Sequence, residues 1–463
     1  METILTNVVA FVNDILWNKY LLLLFLLLGS GVFFTVRTNF VQVRKFGEGM
    51  RLVFGNISLK GKAAGKDGMS SFQALATAIA AQVGTGNIAG CASALVSGGP
   101  GAVFWMWVSA FFGMATIYGE AVLAQKYKTV GEDGAVSGGP IYYIMAAFKG
   151  KLGTFMAGFF AVAIILALGF MGNMVQSNSI GDAFFTAFGV PKLAMGIAVS
   201  AVSAFIFLGG VKRIAAITEK LVPIMAIFYI CGSLIAIGMN AENILPALKS
   251  VFVGAFTPEA VMGGAIGISI KEAVRFGVAR GLFSNEAGMG STPHAHAMAK
   301  VTKPQDQGAV AMVGVFIDTF IVLTMTALVI LTSGMLGTTG ADGEMLTATA
   351  LAQAAFNNAF GTFGNAFVAV CLLFFAFSTI IGWYFFGEAN VKALFGGSKK
   401  ATAIYGIIAL VFIVVGSFQK VGLVWDMSDM FNGLMVIPNL LACLALSGIV
   451  AKFAKDDNYL GDI

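Results

Sequence analysis

The chain has 463 residues, of which 58% are hydrophobic and only 11% charged, and it carries a net charge of +5. That composition excludes a water-soluble globular protein and describes an integral membrane protein. The basic residues are scattered between apolar runs, which excludes a nucleic-acid surface, and two histidines (His294, His296) with four isolated cysteines exclude a multi-histidine or CxxC metal centre.

Spans of about 20 apolar residues divide the chain. The first residues carry Glu2 and Asp14, not the basic start of a cleavable signal peptide. The first candidate span is 16–36. A basic loop follows, with Arg37, Arg44, Lys45, Arg51, Lys60, Lys62 and Lys66 against Glu48 and Asp67. Further candidates are 71–97, 101–126, 153–187, 193–210, 214–239, 270–299, 307–333, 362–391, 402–416 and 424–451, eleven in all. Placing the basic loop in the cytoplasm puts the N-terminus outside and the C-terminus in the cytoplasm, in a cell membrane. Alternation then puts Lys126, Lys212, Lys300, Lys399 and Lys452 on the cytoplasmic side, and the acidic 334–361 connection with Asp342 and Glu344 outside.

Glycine makes up 58 of the residues, about one in eight, which favours close helix packing and broken helices. Inside the second span, Gly84-Thr85-Gly86-Asn87 interrupts the helix. Lipid offers no hydrogen-bond partners, so such a break is tolerated only where it lines a protein-enclosed cavity. Its inner half ends in carbonyls near Ala80 and Val83, which suit a cation. Its outer half begins near Asn87, and the amides of Ile88, Ala89 and Gly90 suit an anionic group such as a carboxylate.

The pattern Thr85-Gly86-Asn87-Ile88-Ala89-Gly90, then Gly101-Ala102-Val103, recurs as Phe283-Ser284-Asn285-Glu286-Ala287-Gly288, then Gly308-Ala309-Val310. Five spans separate the copies, so they enter from opposite sides as an inverted repeat. The expected units are 1–69 (an extra helix and the basic loop), 70–239 and 240–451 (the two repeats), and 452–463 (a tail). The second break is expected at 281–290, with Leu282 and Phe283 carbonyls facing an ammonium and Ser284 and Asn285 supplying polar side chains.

Between the breaks, Gln176 lies in a polar cluster, Asn173 to Asn178, and is read as bounding a side-chain pocket with Trp383; interhelical bonding is the alternative. Ser378 and Thr379 either bond back to their own helix or complete the oxygen shell of a sodium ion. Asp318 is an intramembrane carboxylate, which carries a proton, sits near an ion, or pairs with a basic residue. Glu286 either neutralises a cation or faces the cytoplasmic vestibule. Arg280 is read as one half of an outer ion pair with Asp182 or Asp426.

The segments 81–90 (AQVGTGNIAG), 98–107 (GGPGAVFWMW) and 277–290 (GVARGLFSNEAGMG) resemble the alanine or glycine:cation symporter family, and the likeness spans the chain. The resemblance implies an all-α membrane protein of about eleven transmembrane helices with the leucine-transporter fold, a five-plus-five inverted repeat with broken first and sixth core helices. It implies a sodium site formed by the carbonyls of Ala80, Val83 and Phe375 and the hydroxyls of Ser378 and Thr379. It also implies substrate contacts at Thr85, Gly86, Asn87, Phe283, Ser284 and Asn285. The expected function is sodium-coupled import of alanine and glycine by alternating access, with no enzymatic activity and compatible with a monomer. A proton-coupled carrier using Asp318 is the rival, and a cation channel a more distant one.

Overall fold

The protein is described by a computed structural model covering residues 2–55, 68–131, 135–257, 269–340, 343–419 and 421–460. Lys60, Lys62, Lys66, Asp67 and Asp342 lie outside the described residues. Eight described helices are long and apolar enough to cross a bilayer: Ile4–Arg37, Gly101–Tyr127, Gly150–Phe188, Gly210–Met239, Pro304–Ser333, Phe363–Leu394, Lys399–Gly416 and Gly422–Ala445. A ninth span is the bent pair Ser71–Gln82 and Gly86–Gly98, whose halves meet at 48°. Lys192–Phe207 is apolar but shorter. The second broken helix, Ile270–Asn285 and Pro293–Met298, is too polar and too short to pass that test. The protein is an all-α, multi-pass membrane protein.

Both broken helices start with the same local device. Ser70 Oγ accepts the Gln73 amide at 3.1 Å, and the Gln73 side chain accepts the Ser70 amide in return. Ser269 and Glu272 make the same reciprocal pair. Each exchange satisfies two otherwise orphaned donors at a helix start. The end of one broken helix meets the start of the other: Met69 and Ala299 pair in parallel, the Met69 amide donating to Met298 O and the Lys300 amide to Met69 O, both at 2.9 Å. A start beside an end means that the two helices run in opposite directions, as an inverted repeat requires.

Widened turns of the kind common at functional sites include Ile165–Gly172 and Phe316–Leu323. The first leads directly into the Asn173–Phe188 segment that bears Gln176, and the second contains Asp318 and Thr319. The only strands described are a two-residue pair, Thr129–Val130 with Val136–Ser137.

Candidate functional site

The first break occupies 83–85. Val83 turns extended (φ −81°, ψ 90°), and the helix restarts at Gly86. Ile88, Ala89 and Gly90 therefore lie inside the restarted helix. The amides handed to side chains are instead those of Gly84, which donates to Asn87 Oδ1, and Thr85, which donates to Gln176 Oε1, both at 2.9 Å. Glycine is required at 84 by packing: a Cβ there would collide with Thr379 Oγ1.

Below the break, oxygens converge from two helices. Thr379 Oγ1 donates within reach of Ala80 O (2.9 Å), Phe375 O (3.0 Å) and Val83 O (3.4 Å). Ser378 Oγ lies 2.8 Å from Phe375 O and 3.2 Å from Ala80 O. These hydroxyls bond back within their own helix and also bridge to the first broken helix. All the residues involved are buried. Among the described residues no group of three His, Cys, Asp or Glu side chains is placed to hold a metal ion, and the oxygens gathered here are all neutral.

The second break begins five residues later than the expected 281. Its helix continues to Asn285, and the chain opens from Glu286 (φ +58°) to Thr292. Gly281 packs against Ser109 and Met106 inside a regular helix; there its missing side chain provides closeness, not a bend. The Leu282 carbonyl, expected to face an ammonium, is taken by the Glu286 amide at 2.8 Å. Gly288 (φ +92°) and Gly290 (φ +78°) adopt conformations that favour glycine. Their amides converge on the Glu120 carboxylate, each at 2.9 Å, and Asn439 Nδ2 donates to it at 2.6 Å. Glu120 was not singled out in the sequence, although an acid in the apolar run Ala115 to Ala124 was a readable signal.

Asp318 ties the two breaks together. It accepts from Asn87 Nδ2 of the first (2.6 Å), from Ser284 Oγ of the second (3.0 Å) and from its neighbour Thr319 Oγ1 (2.8 Å). No basic residue pairs with it among the described residues, which removes the structural ion pair from the readings of this carboxylate. Gln82 Nε2 adds a second tie, donating to Asn285 O at 2.7 Å, and Asn285 Nδ2 reaches Thr319 Oγ1 at 3.1 Å. Gly86 lies so close to Phe283 and Ser284 that a Cβ would sit 3.1 Å from the Phe283 ring.

Trp383 meets Phe283 edge-to-face with ring centroids 5.6 Å apart, and its ring leaves room for no more than a glycine at 172. Its Nε1 donates to Glu286 Oε1 at 2.5 Å, and Ser291 Oγ donates to the other oxygen. Glu286 is fully buried, so it faces no vestibule, and its carboxylate accepts from Trp383 and Ser291. Thr85 Oγ1 and Gln176 Nε2, buried beside the first break, have no partner.

On one side of this centre Arg280 forms a bidentate pair with Asp429, both contacts 2.8 Å, and its guanidinium lies 4.7 Å from the Trp425 ring, which in turn contacts Phe283. The expected partners are thus corrected. Asp182 pairs with Lys192 instead, and Asp426, three residues before Asp429 on the same helix, forms no ion pair with Arg280 among the described residues. A cavity of about 400 Å3 opens there, lined in part by Arg280, Trp425, Asp182 and Lys192. A second, of about 240 Å3, lies on the other side beside His294, Glu388 and Lys392. The predicted site residues all come together, buried, between these two cavities.

The profile of the sodium:alanine symporter family matches residues 1–460. The sodium/alanine symporter AgcS of Methanococcus maripaludis is 42% identical over 453 residues, 98% of this chain and 97% of that protein. The probable sodium/glutamine symporter GlnT of Bacillus subtilis is 42% identical over 456 residues, 98% of this chain and 91% of that protein. The crystal structure of MhsT in complex with L-phenylalanine superposes with a TM-score of 0.56 at 14% identity, over 84% of this chain and 98% of that one, which shows the leucine-transporter fold. The chain is a transporter, not an enzyme, and it belongs to the sodium:alanine symporter family.

Proposed function

We propose that this protein is a sodium-coupled symporter that imports small neutral amino acids, alanine and glycine, across the cell membrane by alternating access, with the N-terminus outside. The observation that carries the reading is the convergence of Ala80, Val83 and Phe375 carbonyls with Ser378 and Thr379 hydroxyls between the first break and the Phe363–Leu394 helix. Sodium is a hard cation and takes such oxygens. When it binds, the hydroxyls turn their lone pairs toward it and it cross-links the two helices. That fixes the first broken helix in the form that presents Thr85, Gly86 and Asn87.

The amino acid then lies between the breaks. Gln176 Nε2 and Thr85 Oγ1, both unpartnered, are the natural donors to its carboxylate. Phe283, Ser284 and Asn285 approach from the second break. The Trp383 ring, held by Glu286 and pressed over Gly172, limits the side-chain space, which supports substrates as small as alanine. An inward sodium ion moving through about 100 mV supplies ~2.3 kcal/mol, enough to concentrate the solute tens-fold.

Asp318 supports a second reading, in which a proton is the coupling ion. Its carboxylate bridges both breaks with no basic partner among the described residues, and protonation would weaken the ties to Asn87 and Ser284. Labelled-alanine uptake into proteoliposomes at constant pH separates the two. Concentrative uptake with a sodium gradient and none with an equal potassium gradient is expected. Equal uptake in both, driven instead by an imposed pH gradient, would establish the proton reading.

A further inference from the structure

The ends of two apolar spans meet at a groove far from the transport site. Ile4–Arg37 ends at Arg37, and Gly422–Ala445 ends at Ala445, where the chain bends at Leu446 into the short helix Ser447–Lys455. A groove of about 780 Å3 lies there. Because both spans stop at it, the groove sits at the boundary between hydrocarbon and water. Its floor is apolar, with Leu446 and Ile449, and its rim carries Arg37, Lys452 and Lys455.

These three cations are exposed, and none makes an ion pair among the described residues. Lys452 lies 6.0 Å from the Tyr459 ring. The one carboxylate of the lining, Asp456, accepts the Asn458 amide at 2.9 Å and so serves the turn that ends the helix. By contrast, Lys45 and Lys303 nearby both hold residue 457. Beside the groove the spans present apolar side chains outward: Val36 is 66% exposed and Phe33 42% on one, Leu441 39% on the other. An occupant with one anionic end and two long apolar chains matches cations at the rim, an apolar floor, and lipid-facing side chains beyond.

We propose that this groove is a binding site for an anionic phospholipid, its headgroup phosphate held by Arg37, Lys452 and Lys455 and its acyl chains lying along Phe33, Val36 and Leu441. Basic pockets between spans suit such headgroups, because a phosphate at the interface gains from each cation while its chains stay in hydrocarbon. The inference stands apart from the transport reading, since none of its residues belongs to that site.

The test is native mass spectrometry of the full-length protein released from detergent with phosphatidylglycerol or phosphatidylcholine. The wild-type protein is expected to retain phosphatidylglycerol at least roughly tenfold better, and each charge removed to cost roughly fivefold in affinity. The R37Q/K452Q/K455Q variant should lose the preference, R37K/K452R/K455R should keep it, and an unchanged melting temperature for the first variant excludes misfolding as the cause. Equal retention of both lipids by the wild-type protein, or an unaltered preference in the glutamine variant, would overturn the proposal. Displacement of phosphatidylglycerol by millimolar inorganic phosphate would assign the cations to free phosphate and overturn the lipid reading.

Discussion

The two broken helices solve the same problem in opposite ways. The first break is short; the Asn87 and Gln176 side chains take its amides, and its carbonyls are met by the neutral hydroxyls of Ser378 and Thr379. The second is longer, and what it leaves open are amides, which the resident carboxylate of Glu120 collects. One break thus offers an oxygen set that a cation can take over. The other is already satisfied by a carboxyl group of the protein itself, which makes it the frame against which, in the proposed cycle, the first is loaded. Asp318 is the joint between them, with Asn87 on one side and Ser284 on the other.

Breaking the joint should have the largest effect. Asp318→Asn keeps the size but removes the anion that accepts from Asn87, Ser284 and Thr319. Hydrogen bonds to a charged group are worth about 1.5–3 kcal/mol each, so uptake is expected to fall at least roughly a hundredfold. Surface delivery measured in parallel should be unchanged. Removing the frame comes next. Glu120→Gln leaves at least one of the Gly288 and Gly290 amides without an acceptor, and a buried unsatisfied donor costs about 1–3 kcal/mol. A lower melting temperature with uptake reduced by about tenfold is expected, and normal behaviour in both would separate Glu120 from the frame.

Ser378→Ala or Thr379→Ala removes one oxygen from the loadable side. The sodium concentration for half-maximal uptake should rise by about fivefold, since a hydrogen-bonding partner of this kind is worth about 1 kcal/mol. A smaller effect is expected at the cavity that Arg280 lines. Asp429→Asn breaks a half-buried bidentate pair and should change apparent alanine affinity a few-fold, whereas Asp426→Asn should leave it unchanged.

The smallest effect is at the tail. Lys45 hydrogen-bonds to Asp457 and holds that carboxyl below its ordinary range, so this docking is complete at neutral pH and is lost only as pH falls through the lowered value. Protease cleavage of the tail should therefore be the same from pH 5 to pH 8 and rise only in stronger acid.

Much of this arrangement was legible because lipid penalises unpaired polar groups. Gly84-Thr85-Gly86-Asn87 had no other reason to interrupt an apolar span, and it marked the first break to within a residue or two. The capping pairs Ser70/Gln73 and Ser269/Glu272 were readable as well, and give both broken helices the same start. The second break was displaced because Gly281 looks like a bend in sequence, while the fold uses it for contact with Ser109. The partner of Arg280 was missed because Asp426 and Asp429 lie less than a turn apart, and only the packing decides which faces the arginine. Glu120 went unnoticed near a span's end, where an acid is usually taken for the water boundary.

The central claim is that sodium at the first break prepares the site for the amino acid. Its most direct test is equilibrium binding of labelled L-alanine to the purified protein as sodium replaces potassium at constant ionic strength. Affinity should rise with sodium in the wild-type protein, and Ser378→Ala should need more sodium for the same gain. Identical alanine affinity in sodium and in potassium would contradict the claim.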